Sequence, residues 1–171
     1  MNIVAKENTE KGYFFKNNYY YINAERTNIN RVNLSTLKVT SVRGKKEKGK
    51  SKLYYDKLFI SDKKMFYAVS SGKGASRGEA PSKIYSYEEG NKDKKIYTAS
   101  INMMDSVCGN QNIGIVDFGI KKNEIIIYNV KTDKKESHQI PNEVAQVYMM
   151  MGNLIFCNDS AESDAYRIVR L

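Results

Sequence analysis

The stretch Tyr13-Phe14-Phe15-Lys16-Asn17-Asn18-Tyr19-Tyr20-Tyr21-Ile22-Asn23, continuing through Ile29 to Leu34 and Lys38 to Val42, decides the fold. Short runs rich in Tyr, Phe, Ile and Val are divided by Asn, Ser and Lys clusters, which is strand and turn chemistry. Four strands, Tyr13 to Lys16, Asn18 to Asn23, Ile29 to Leu34 and Lys38 to Val42, fit into about 30 residues. Moving outward, the pattern returns as Lys57 to Ser61, Lys64 to Val69, Lys83 to Tyr87 and Lys95 to Ala99. It returns again as Ile101 to Val107, Asn112 to Phe118, Glu124 to Asn129 and Lys135 to Ile140. A last unit reads Val144 to Met150, Asn153 to Cys157 and Ala165 to Leu171, and stops one strand short.

Units of four strands recurring every 40 to 50 residues or so are the signature of a β-propeller. The expected fold is all-β and propeller-like, with about four four-stranded antiparallel blades in a single domain over residues 1–171, either a complete small ring or a fragment or half of a larger one. The repeats run over approximately 11–43, 54–100, 101–140 and 143–171, with residues 1–9 as a closing strand beside 165–170. Nearly continuous apolar runs at Tyr19 to Ile22, Met65 to Val69, Ile125 to Tyr128 and Leu154 to Cys157 predict middle strands covered on both faces. The polar stretch Lys134 to Gln139 predicts an outermost strand that meets solvent. After Pro141, the residues Val144, Val147, Tyr148 and Met151 stand at helical spacing, so a short helix competes there with the strand that keeps the repeat intact.

The segment Tyr20-Tyr21-Ile22-Asn23, followed after a gap by Asn28-Ile29-Asn30-Arg31-Val32-Asn33-Leu34-Ser35, resembles the YWTD repeat of low-density-lipoprotein-receptor-type propellers. Ile155 to Asp159 followed by Ala165 to Leu171 has the same shape, and Phe66 to Val69 followed by Ile84 to Tyr87 is a weaker copy. The chain is similar in turn to propeller domains of unknown function from clostridia and other low-GC Gram-positive bacteria that resemble that receptor module. It departs from the repeat in having no tryptophan, and the third unit lacks the Arg. The resemblance implies an interaction scaffold and no particular reaction.

Composition narrows the chemistry. The 171 residues are 41% hydrophobic and 27% charged, values of a folded chain. Apolar runs such as Ile125 to Val130 are far shorter than the roughly 20 residues of a spanning helix. The start, Met1 to Asn8, has neither the basic region nor the apolar core of a secretory signal. The compartment stays open: cytoplasmic for the chain as written, cell-surface or extracellular for a domain of a larger exported protein. Cys108 and Cys157 stand 49 positions apart outside any CxxC spacing and read as buried thiols. The net charge of +9 comes from 22 lysines and six arginines beside 17 asparagines and 16 isoleucines, the bias of an A+T-rich genome. Base and phosphate readers favour arginine forks, so dedicated nucleic-acid binding ranks low.

Motifs for a cofactor, a metal or a catalytic residue are absent, and the expectation is a binding module without catalysis. The single histidine, His138, sits on the predicted outer strand, and nothing in the spacing pairs it with Cys108 or Cys157 as a nucleophile. A carboxylate pair drawn from Asp105, Asp117, Glu124, Asp159, Glu162 and Asp164 keeps open a hydrolase-like enzyme with an unrecognised loop site. The acidic stretch 158–164 reads as a polar hairpin loop, with calcium as its competitor.

Two basic loops mark the candidate contact face. One runs from Arg43 to Lys52 between the first two units, and the other, Ser70 to Pro81, is Gly-rich without the order of a phosphate loop. Blade-to-blade loops and second-to-third-strand loops emerge on the same face of a propeller. That topology gathers Lys45, Lys46, Lys48, Lys50, Lys52, Lys73 and Arg77 into one ligand-binding surface, with a protein or an anionic polymer of cell-wall type as partner.

Overall fold

The computed structural model describes residues 12–44, 53–61, 64–71, 82–99, 106–108, 111–118, 123–141, 144–150, 153–158 and 166–170. They form fifteen strands and no helix. Blade 1 contains β1 (Gly12–Phe15), β2 (Asn18–Ile22), β3 (Asn28–Asn33) and β4 (Val39–Gly44). Blade 2 contains β5 (Leu53–Ser61), β6 (Lys64–Ser71), β7 (Ser82–Tyr87) and β8 (Lys94–Thr98). Blade 3 contains β9 (Ser106–Cys108), β10 (Asn112–Phe118), β11 (Asn123–Asn129) and β12 (Lys135–Gln139), and blade 4 contains β13 (Val144–Met150), β14 (Asn153–Asn158) and β15 (Tyr166–Arg170). Each blade is a separate antiparallel meander in chain order, and the last has three strands. First strands neighbour one another, β1 against β5 and β9 against β13, as in blades set around a common axis. The closing strand expected over residues 1–9 lies outside the described residues.

One strand differs from the sequence reading for a local reason, and a second keeps the expected bounds. β5 starts at Leu53 rather than Lys57, because a bulge at Asp56 breaks the alternation and makes Asp56-Lys57 look like a loop. Residues 144–150 are the strand β13, paired with β14; a register shift between Val144 and Gln146 produces the spacing that mimics a helix.

Blade 2 shows how both faces of a blade are used. Successive side chains of a strand point to opposite faces. Met65, Tyr67 and Val69 pack with Ile29 of blade 1, while Phe66 and Ala68 join Phe59, Ile84 and the isoleucines of blade 3. The apolar run of β6 is continuous because it belongs to two seams at once.

Turns repeat as well as strands. Asn33-Leu34-Ser35-Thr36-Leu37-Lys38 and Asn129-Val130-Lys131-Thr132-Asp133-Lys134 share the spacing N-x-x-T-x-K. In each, the Asn side-chain oxygen accepts from the backbone amides two and three residues on, Ser35 and Thr36 in the first turn and Lys131 and Thr132 in the second, at 2.9–3.1 Å. Leu37 and Asp133 then take the left-handed conformation, with φ of 56° and 59°, and the Asn backbone amide donates to the Lys carbonyl five residues on. These turns share one end of the blades with the β1–β2 and β5–β6 connections, here called the front; the β2–β3 connection and the passages between blades lie at the back.

Candidate functional site

An open groove of about 410 Å³ lies between blades 1 and 2 at the front. Its blade 1 wall is set by register: Tyr20, Arg31 and Thr40 are successive cross-strand partners and therefore share one face. The hairpin tip contributes Phe15 and Lys16, blade 2 supplies Ile60, Met65 and Tyr87, and the β7–β8 connection supplies Glu88 and Glu89. Arg31 donates to Glu89 across the groove at 3.0 Å. That hydrogen bond outweighs burial and, with a second that Arg31 donates to the Tyr20 oxygen, raises the Arg31 pKa, so the guanidinium is a fixed cation. Lys16, with φ of 51°, holds its ammonium 5.4 Å from the Phe15 ring centroid.

Beside the groove, Arg43 spans the seam. It grips both Asp93 oxygens at 2.8–3.2 Å, stacks 3.5 Å over Tyr87 and donates to the Val42 carbonyl at 2.7 Å. Burial opposes its charge, but the Asp93 hydrogen bonds and charge prevail and raise its pKa. Burial and the Asp93 carboxylate also push the Tyr67 phenol well above its usual range. By sequence Arg43 opens the basic loop that follows it; in the structure its guanidinium faces the seam.

Lys45, Lys46, Lys48, Lys50, Lys52, Lys73 and Arg77 lie outside the described residues. The strands that carry their loops are described: Leu53 and Ser71 are cross-strand partners at the back end of blade 2, and Ser70 pairs with Ser82. Both loops therefore attach at the back, opposite the groove.

Cys108 and His138 are on β9 and β12, the two edges of one four-stranded sheet. Three strand spacings, roughly 14 Å, separate those edges. His138 Nε2 is 4.0 Å from the Glu136 carboxylate. Cys157 is on β14, in another blade. Of the six carboxylates named above, Asp105, Asp159, Glu162 and Asp164 lie outside the described residues, and the other two, Asp117 and Glu124, are cross-strand partners. Both accept from the Tyr97 hydroxyl of blade 2, at 3.1 and 3.0 Å, and Ser137 donates to the second Glu124 oxygen at 2.6 Å. Burial, with these carboxylates, drives the Tyr97 pKa far up. Among the described residues no group of three His, Cys, Asp or Glu side chains is placed to hold a metal ion, and no helix is long and apolar enough to cross a membrane.

Glu89 and Asp93 escape a sequence reading because their partners are 58 and 50 residues away. No spacing rule connects them.

No family model matches the chain, and no curated protein matches its sequence. Solved structures do resemble it. The major Malassezia sympodialis allergen Mala s 1 matches 95% of this chain over 60% of its own, at TM-score 0.60 and 11% identity. The N-terminal domain of Nup159, a propeller, matches 94% of this chain over 43% of its own, at TM-score 0.52 and 10% identity. At such identities the likeness concerns the fold, which is all-β and propeller-like. The chain spans about 60% of the first neighbour's length and less than half of the second's. A YWTD-type propeller chain from a nidogen/laminin complex is matched at TM-score 0.38 and 10% identity, too low a score to bear on the repeat type.

Proposed function

We propose that the chain is a non-catalytic binding module that holds a protein partner in the groove between blades 1 and 2. The observation that carries this reading is the lining: aromatic walls from Phe15, Tyr20 and Tyr87, cations at Lys16 and Arg31, and anions at Glu88 and Glu89, in an open groove. Tyrosine and arginine are the side chains that dominate protein interfaces. Mixed charge suits a polypeptide better than a uniformly anionic polymer, which the two glutamates at the rim would repel. The YWTD-like reading of the repeat, as in propeller domains of low-GC Gram-positive bacteria, belongs to the same proposal. It is supported by Tyr20 and Arg31, the aromatic and the Arg of the quoted segment, standing opposite each other across β2 and β3.

Selection of a displayed peptide library on the purified protein tests the reading. Enriched peptides should lose at least about tenfold in affinity when Tyr20→Ala or Arg31→Ala is introduced, the scale of one hot-spot contact. Failure to enrich any peptide, or binding indifferent to both substitutions, sinks the proposal. Turnover in a hydrolase screen would favour the enzyme reading, and tight, steeply salt-dependent nucleic-acid binding the other.

A second reading, an anionic polymer held at the back by Lys45, Lys46, Lys48, Lys50, Lys52, Lys73 and Arg77, is favoured by the attachment of both basic loops at that end of blade 2. Replacing the seven together should abolish retention on heparin with the fold intact; unchanged retention removes it.

A further inference from the structure

The β7–β8 connection, residues 88–93, sends two carboxylates across the seam to two arginines of blade 1, and the two contacts are unequal. Asp93 holds Arg43 with both oxygens, and its side chain is 33% exposed. Glu89 meets Arg31 through one hydrogen bond of 3.0 Å and is 78% exposed. An exposed ion pair of that kind contributes little to stability.

The backbone that carries Glu89 does not depend on the pair. Glu88 to Asn91 form a turn closed by the Asn91 amide, which donates to the Glu88 carbonyl at 3.0 Å. Gly90 stands third in that turn at φ of 89°, the left-handed position that a type II turn reserves for glycine. Asp93 anchors the far end of the connection on Arg43. Glu89 can therefore leave Arg31 by rotating its side chain alone. Arg31 stays where it is: its side chain is 30% exposed, and its guanidinium also donates to the Tyr20 oxygen.

Glu89 thus occupies a carboxylate seat inside the groove. A guanidinium fork matches a carboxylate in shape as well as charge. Lys16 adds a second cation to the lining, and Ile60, Met65 and Tyr87 supply apolar surface in the same groove. On the reading that this groove holds a protein partner, we propose that Glu89 is a built-in stand-in for an acidic side chain of that partner. An Asp or Glu in an extended segment of the partner displaces Glu89 from Arg31, while an apolar neighbour of that acid packs on Ile60, Met65 and Tyr87. Glu88 remains on the rim, its Oε2 accepting from Asn91 at 3.4 Å, and repels a second acid. The segment therefore carries a single acid. That separates it from acidic runs, which a protein of net charge +9 attracts without specificity.

The displayed library, with its peptides joined to the carrier at their C-termini so that side chains supply their carboxylates, is selected on the full chain. Enriched peptides should carry one Asp or Glu beside an apolar residue. By isothermal titration, Glu89→Gln should bind such a peptide about two- to fivefold more tightly, the scale of one exposed ion pair. Glu88→Gln removes the same charge from the same rim without freeing Arg31, and should change affinity by less than about 1.5-fold. Arg31→Gln should lose at least about tenfold, and in that background Glu89→Gln should do no more than Glu88→Gln. No enrichment, or binding indifferent to Tyr20→Ala and Arg31→Ala, overturns the groove reading and this proposal together. Peptides that depend on Tyr20 but carry no acid, or carry acidic runs, overturn the displacement alone. So do equal effects of Glu89→Gln and Glu88→Gln, or a loss of affinity with Glu89→Gln.

Discussion

The two described seams solve the same packing problem with different materials. Between blades 2 and 3 the middle is aliphatic and aromatic, with Phe59, Phe66, Ile84, Ile113, Ile115 and Tyr128 all buried. Polar clasps close it at both ends: Lys64 and Lys94 on Asp133 at the front, and Tyr97 on Asp117 and Glu124 at the back. Between blades 1 and 2 the fully buried set is smaller, Ile29, Leu58, Met65, Tyr67 and Val69, and half-buried tyrosines surround it. Three arginines bridge that seam. Arg26 of the β2–β3 turn, at φ of 58°, pairs with buried Asp56 of the β5 bulge and donates to the Tyr55 carbonyl, while Arg31 reaches Glu89 and Arg43 reaches Asp93. A dry seam holds blades together without specifying a ligand; a seam built from long polar side chains leaves the groove.

The contrast predicts the largest loss in the dry seam. Phe66, fully buried, stacks on Phe59 at 5.6 Å and meets Tyr128 edge-on. Phe66→Ala should cost about 3–5 kcal/mol in urea unfolding, the range for a large aromatic removed from a packed core. Arg43→Ala should cost about 2 kcal/mol, because it removes a two-pronged ion pair and a cation–π contact whose partners are only partly screened by solvent. Arg43→Lys should recover less than half, since an ammonium cannot hold both Asp93 oxygens and lie flat on Tyr87. Equal losses for Phe66→Ala and Arg43→Ala would erase the distinction between the seams.

A smaller effect tests the front clasp through pH. The hydrogen bond from Lys94, then that from Tyr128, holds the Asp133 carboxyl down at about 2, against an ordinary 3.8. A depressed carboxyl adds stability that is complete above the ordinary value and disappears as pH falls through the folded one. Unfolding free energy should therefore drop between about pH 4 and pH 2, and Asp133→Asn should flatten that part of the curve. The cost at neutral pH should be about 1 kcal/mol, kept small by the exposure of the carboxylate. An unchanged acid limb in the variant would detach Asp133 from the clasp.

The strands are legible in the sequence because period-2 patterning and turn residues are local properties of the chain. Even the double coverage of β6 is readable, from an apolar run that does not alternate. The bulge at Asp56 blurs one boundary, because one inserted residue reverses which side chains face inward. The N-x-x-T-x-K spacing at Asn33 and Asn129 carries a usable signal for the equivalence of blades 1 and 3. The groove is not legible: its arginines meet acids from another blade, at separations fixed by the way whole sheets pack. The basic loops draw attention to the back by composition, whereas the described polar groove opens at the front.

The smallest effect belongs to the outer strand of the dry seam's blade. β12 is held to β11 by backbone pairing, and Lys135, Glu136, Ser137 and Gln139 are exposed. His138 alone on that strand is half-buried, opposite the fully buried Ile125. Its Nε2 is enclosed, with the Glu136 carboxylate 4.0 Å away, beyond hydrogen-bond reach. An enclosed polar atom costs free energy unless it is bonded, and an apolar replacement of similar size removes that cost together with the ring contacts. The two changes oppose each other, so His138→Leu should alter stability by no more than about 0.5 kcal/mol, as surface substitutions usually do. Urea unfolding of the variant beside Phe66→Ala measures both ends of the range in one experiment. A loss above about 2 kcal/mol, the scale of a broken buried hydrogen bond, would mean that His138 anchors β12 through its side chain, and the division between a side-chain-packed interior and a backbone-held outer strand would fail.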